Sequence, residues 1–141
     1  MKDLEIAESL LKEENLNLVL VKNEQILFKS RSPGIKGPLK AVRELKGKIT
    51  PSSAADRIIG RAVALLLAHL GVTRIFGETV SKEGKHVLER NDIYLRSKKI
   101  VPRITDEKAE KVCPFERLVN DIDEPEKAYL KIESEAADLI D

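Results

Sequence analysis

Thr50-Pro51-Ser52-Ser53-Ala54-Ala55-Asp56-Arg57-Ile58-Ile59-Gly60-Arg61-Ala62-Val63-Ala64-Leu65-Leu66-Leu67-Ala68-His69-Leu70-Gly71 is the stretch on which the fold turns. Ser53 with Asp56 has capping-box-like spacing. Asp56 in a first turn also complements the helix dipole. Thr50–Asp56 is therefore predicted to begin the main helix, which Gly71 ends. From Ile58 to Leu70 that helix is apolar almost all round, so it is buried on most sides. Gly60, with no side chain, allows close approach by another element.

Upstream, residues 3–14 read as an amphipathic helix with Leu4, Ala7, Leu10 and Leu11 on one face. Leu16–Val21 is apolar on both faces apart from Asn17, as a central strand should be. Lys22–Gln25 is a polar turn, and Ile26–Ser30 returns as an antiparallel partner. A Pro/Gly-rich loop follows over residues 32–38. Pro38 opens a short helix with Leu39, Val42 and Leu45 inward, and Gly47 closes it. Downstream come a strand at Val72–Phe76, extensible to Val80, a short helix at Glu83–Asn91 and a strand at Ser97–Ile104. Pro102 suits only the end or an edge of that strand. Asp106–Val112 reads as a helical turn leading into Pro114–Asn120. Pro125 starts a last helix with Tyr129, Ile132 and Ala136 inward, although Tyr129–Ile132 also fits an edge strand. Helices alternating with an opening hairpin and later strands indicate a layered α/β domain with a mixed sheet.

The chain of 141 residues and 15.8 kDa fits one domain, with a helical extension from about residue 125. Hydrophobic residues make up 42% and aromatics only 4%, so the core must be aliphatic. The high Lys and Glu share and the single Gln25 lean towards a thermophile. One cysteine excludes an internal disulfide and fits a reducing cytoplasm. Met1 leads directly into charged residues with no signal-like segment, and the apolar run Ala62–Leu70 is too short to span a bilayer, so no membrane partner is expected. Charge is uneven: residues 29–48 carry seven cations against one acid, a net of +6, and residues 106–141 carry twelve acids against five bases, a net of −7. Without stacking aromatics the basic stretch is a poor nucleic-acid signature, and two such stretches more often neutralise each other within a fold or across a dimer.

Chemistry concentrates at Cys113-Pro114-Phe115-Glu116. Pro114 marks a helix start and places Cys113 at the N-cap, where unpaired N–H groups and the dipole favour a thiolate. The dipole supplies about 0.3–1 kcal/mol, so it lowers the thiol by about one pKa unit at most. Lys111, Arg103, Arg117 or Arg57 could add a cation. Glu116, one turn on, could accept a proton. The competing reading makes Cys113 a small buried hydrophobe. His69, near a helix C-terminus, and His86, in a charged segment, read as structural or surface residues.

The segment Ala54–Ala62 together with Cys113-Pro114-Phe115-Glu116 resembles a small bacterial family, a domain of unknown function grouped by fold with the cytidine deaminases. The resemblance covers nearly the whole chain, from the initial helix and hairpin to the late Cys-Pro-x-Glu. It implies a three-layer α/β/α sandwich with a mixed sheet, cytidine-deaminase-like. Zinc deaminases need a His or Cys two positions before a Glu, and a Pro-Cys-x-x-Cys pair. Here Ala54-Ala55-Asp56 puts alanine at the ligand position, and only one cysteine exists. No metal site and no cofactor are expected.

Two function classes follow. In the first, the protein binds a small anionic or nucleotide-like molecule without metal. Ser52 and Ser53 receive the anion at a helix N-terminus, and Lys36 in the Gly34–Gly37 loop supplies positive charge. Asp56 orients the ligand or acts as a base, Cys113 is the nucleophile, and Glu116 its proton acceptor or orienter. In the second, the chain is a non-catalytic ligand sensor or homo-oligomeric binding module whose cysteine is structural or redox-sensing.

Overall fold

The computed structural model describes residues 2–105 and 114–136. Along the chain lie α1 (Lys2–Glu13), β1 (Leu18–Lys22), β2 (Gln25–Ser30), α2 (Lys36–Leu45), β3 (Ser53–Ile59) and α3 (Arg61–Leu70). They are followed by β4 (Arg74–Ser81), α4 (Lys82–Arg90), β5 (Tyr94–Val101), α5 (Pro114–Leu118) and α6 (Pro125–Ala136). The five strands form one mixed sheet in the order β2-β1-β3-β4-β5. β1 is antiparallel to β2 and β3, and β3, β4 and β5 run parallel.

Each face of the sheet has its own core. Leu4, Ala7 and Leu11 of α1 pack with Val19, Val21, Ala55 and Phe76 on one face. On the other, Leu39 and Val42 of α2, the apolar run of α3 and Val87 and Leu88 of α4 pack with Leu18, Leu20, Ala54 and Ile75. The strand alternation that sends Ala54 one way and Ala55 the other explains the division. α6 packs along α3 through Ala128 and Ile132, so α3 lies between the sheet and another helix. Its burial on most sides follows from that position. The Tyr129–Ile132 segment is helical, so the edge-strand alternative fails.

The main departure from expectation is the start of that helix. Residues 53–59 are a central strand, and the helix begins only at Arg61, with Gly60 as an extended N-cap (φ −100°, ψ −167°). Ala54 and Ala55 favour a helix locally, but flanked by β1 and β4 and covered on both faces they are held as strand by tertiary packing. Gly71 does end α3, in the left-handed region at φ 84°. α2 closes on Lys46 in the left-handed conformation (φ 49°) rather than on Gly47. The expected turn over Asp106–Val112 lies outside the described residues.

Candidate functional site

α2, α3 and α4 each begin where the chain leaves β2, β3 and β4. Because β2 and β3 both run antiparallel to β1, all three helices start at the same edge of the sheet. Their first backbone N–H groups need acceptors from outside the helix. Two of the three starts have them.

At α3 the acceptor is Glu116. Its Oε1 accepts from Arg61 N–H and its Oε2 from Ala62 N–H, both at 2.7 Å. Gly60 makes room: a Cβ there would stand 2.3 Å from Glu116 Oε1 and 2.8 Å from the Ile104 side chain. Burial pushes the Glu116 carboxyl above its ordinary value, opposed by the same two N–H groups. The Arg61 side chain, also buried, donates to Val119 O at 2.7 Å, to Ile122 O and to Asp123 Oδ1 at 2.7 Å. Segment 114–123 is thus fastened to the start of α3 by a carboxylate and a guanidinium. Both Glu116 oxygens are occupied as a helix cap, a use that sequence spacing could not show. At α4 the acceptor is Ser81, whose Oγ takes Gly84 N–H at 2.9 Å.

Among the described residues α2 has no such partner: Ile35 at its N-cap contributes no side-chain bond. Its first intrahelical donor is Leu39 N–H, to Ile35 O at 2.9 Å, and Pro38 has no N–H to give. Lys36 stands exposed at this turn. Gly37 beside it packs on Leu18, where a Cβ would sit 3.5 Å from the leucine side chain and 3.5 Å from Ser30 Oγ.

A single row of residues crosses the sheet at this level: Ser30, Leu18, Asp56, Gly77 and Ser97 are successive partners. Asp56 therefore lies directly beside Leu18, on the face that α2 and α3 cover. It is 5% exposed. Its Oδ1 accepts weakly from Ile58 N–H at 3.3 Å, and Oδ2 is buried without any hydrogen-bond partner. Burial pushes the carboxyl well above its ordinary value of 3.8, with the Ile58 and Arg57 N–H groups opposing. Oδ2 is thus the carboxyl oxygen left with unused bonding capacity.

The other expected site residues fall elsewhere. Ser52 and Ser53 precede and open a strand, so no helix N-terminus lies there to receive an anion. Ser53 is three positions from Asp56 on β3, which sends the two side chains to opposite faces. Ser52 Oγ is buried and unpartnered, yet four positions of strand, about 13 Å, separate it from Asp56. The capping-box relation between Ser53 and Asp56 disappears with the helix start that suggested it. Gly60, beside Glu116, is likewise about 13 Å of extended chain beyond Asp56. Cys113 lies outside the described residues; Pro114 after it is in α5. His69 stacks on Tyr129 with centroids 4.8 Å apart, and His86 is exposed. Among the described residues no group of three or more His, Cys, Asp or Glu is placed to hold a metal ion. No described helix is long and apolar enough to cross a membrane.

A crystal structure of a DUF1893 family protein from Thermotoga maritima is similar over 95% of this chain and 90% of that one, with a TM-score of 0.86 at 21% identity. That likeness shows the fold. A dCMP deaminase from the cyanophage S-TIM5, in apo form, is 14% identical over 68% of this chain and 94% of that one, with a TM-score of 0.48. So slight a likeness carries neither fold nor chemistry across. No protein of curated function matches the chain. The family model described as Domain of unknown function (DUF1893) matches residues 6–135, nearly the whole chain, and the protein belongs to that family.

Proposed function

We propose that this protein binds a small polar molecule at the sheet edge where α2 begins, with Asp56 as the buried recognition group. One observation carries the reading: Asp56 Oδ2 is buried in the domain and has no partner there. Buried polar atoms are nearly always hydrogen-bonded, and an orphan costs about 1–3 kcal/mol. A chain that keeps such a group at the centre of its sheet gains from it something other than stability. Fold class is part of the same proposal: helices on both faces of the mixed sheet support a three-layer, deaminase-like sandwich. A reducing cytoplasm, which a single cysteine suits, is the proposed setting.

No nucleic-acid role is proposed for the basic stretch. Lys29 pairs with Glu14 at 2.8 Å, Lys48 donates to His69 O at 2.9 Å, and Arg43 pairs with Glu133. The last contact joins the basic stretch directly to the acidic one.

The test is a thermal-shift screen of the full chain against nucleosides, nucleotides, inorganic phosphate and small carboxylic acids, run in parallel on Asp56→Ala. The expected result is at least one compound that raises Tm in the parent and not in the variant. Stabilisation that is equal in both proteins places the site elsewhere. Rapid alkylation of Cys113 with an apparent pKa near 7, blocked by the same compound, would add a cysteine-dependent reaction to binding.

A further inference from the structure

We propose that this protein forms a two-fold dimer through the lateral edge of its sheet, with β2 of one copy beside β2 of the next and α2 beside α2. The inference is independent of the small-ligand reading above. Among the described residues β2 is a terminal strand, paired with β1 on one side only. Residues 26–30 of β2, together with Lys40 and Glu44 of α2, line a groove of about 530 Å³. Successive side chains of a strand point to opposite faces, so five consecutive residues reach one groove only along the strand's free side. That side presents N–H and C=O groups able to pair with another strand. The groove has apolar surface as well. A register shift between Leu20 and Val21 leaves Leu27 without a partner on β1, and Leu27 and Phe28 both pack against the core on the α2 side. The bulge thereby gathers two half-buried apolar side chains beside the helix. Ile26, next to them, is 45% exposed.

The two lateral edges of the sheet are guarded differently. β5, at the opposite edge, carries Lys98 and Lys99, both exposed and neither in an ion pair among the described residues. Lysines on an edge oppose pairing, and a two-fold contact there would set like charges against each other. β2 has a single charge, Lys29, which Glu14 neutralises at 2.8 Å. The charges on α2 identify the occupant as a second copy. Lys40 and Glu44 stand one turn apart on the groove, both exposed and neither in an ion pair among the described residues. A two-fold contact is self-complementary: where one residue meets a second, the second meets the first. Antiparallel β2 strands in one continuous sheet keep both α2 helices on the same face and antiparallel. Lys40 of each copy then lies opposite Glu44 of the other. A peptide charged with one sign would instead meet one attractive and one repulsive residue.

The experiment is sedimentation velocity of the full chain from micromolar to millimolar concentration. The mass should rise from 15.8 kDa towards twice that value. Lys40→Glu and Glu44→Lys should each weaken the dimer about tenfold or more, because each turns two attractive contacts into two repulsive ones. Mixed in equal amounts, these two variants should dimerise with each other about as well as the parent, since every cross-copy pair is again opposite in sign. Both substitutions lie on the surface, and circular dichroism checks that the fold is kept. Ile26→Lys, which charges the strand edge, should weaken the dimer too. A parent that stays monomeric throughout would overturn the proposal, whether or not an extended peptide then binds the groove. A dimer indifferent to all three substitutions would overturn this interface. A dimer weakened by Ile26→Lys but not restored in the mixture would overturn the facing of the two α2 helices.

Discussion

The starts of α3 and α2 lie at the same edge of one sheet and are finished in opposite ways. At α3 a glutamate from 55 residues away closes both leading N–H groups, and Gly60 is bare so that its carboxylate can come in. At α2 no described side chain caps the leading N–H groups, and Asp56, in the cross-sheet row at this level, is buried without a partner for Oδ2. Both sites bury a carboxyl and raise its pKa, yet one carboxyl is consumed by the fold and the other is left with bonding capacity. Stability has been completed at α3. At α2 it has been left incomplete, and activity commonly sits where stability is forgone.

Substitutions at the closed start should be the costly ones. Gly60→Ala puts a methyl where Glu116 Oε1 and Ile104 already stand, which ejects the carboxylate or shifts the backbone. We expect a loss of about 3 kcal/mol in denaturant unfolding, combining overpacking with loss of the cap. A loss below about 1 kcal/mol would mean that the carboxylate does not sit against Gly60. Glu116→Ala removes the cap without overpacking and should cost about 2 kcal/mol, with Glu116→Gln recovering about half because one acceptor oxygen remains. If Gln and Ala behave alike, the bidentate contact is not what holds α3.

At the open start the sign should reverse. Asp56→Asn is expected to stabilise the ligand-free protein at neutral pH by about 1 kcal/mol, because burial disfavours the charged carboxylate that the unfolded chain carries there. The folded pKa lies well above 3.8, so the contribution of Asp56 to stability is full below 3.8 and is lost as pH rises through the folded value. The advantage of Asn should therefore shrink on acidification and vanish below about pH 4. A variant that is less stable than the parent at neutral pH would show that Asp56 has a partner in the fold, and the contrast between the two helix starts would collapse.

Much of this architecture was legible in the sequence. The hairpin, α1, α4, the stop at Gly71 and the start at Pro125 announced themselves through local periodicity and turn chemistry. The stretch 50–59 did not. Pro51, two serines and two alanines mimic a helix start, while the property that makes them a strand, burial on both faces between β1 and β4, belongs to residues far along the chain. One signal was present: Ile58 and Ile59 are β-branched, Gly60 punctuates, and only then does the Ala/Leu run begin, as in a strand that gives way to a helix. The site was less visible. Glu116 attracted attention as a neighbour of Cys113, but its acceptor role depends on contacts to Arg61 and Ala62 that no local pattern encodes. Asp56 was singled out for a helix that does not exist there, and its importance comes from its place in the cross-sheet row.

The burial of α3 on almost every side has a consequence for how the chain is made. On the ribosome α3 emerges well before α6, which packs along it and begins 55 positions after Leu70. At about 5–20 residues per second the wait is roughly 3–11 s. For that interval the apolar run of α3 lacks the cover of α6, and at first also β4 and β5, which follow it in the chain. The nascent chain thus carries an uncovered aliphatic ridge until α6 appears, which makes that helix the step that converts a sticky intermediate into a packed core.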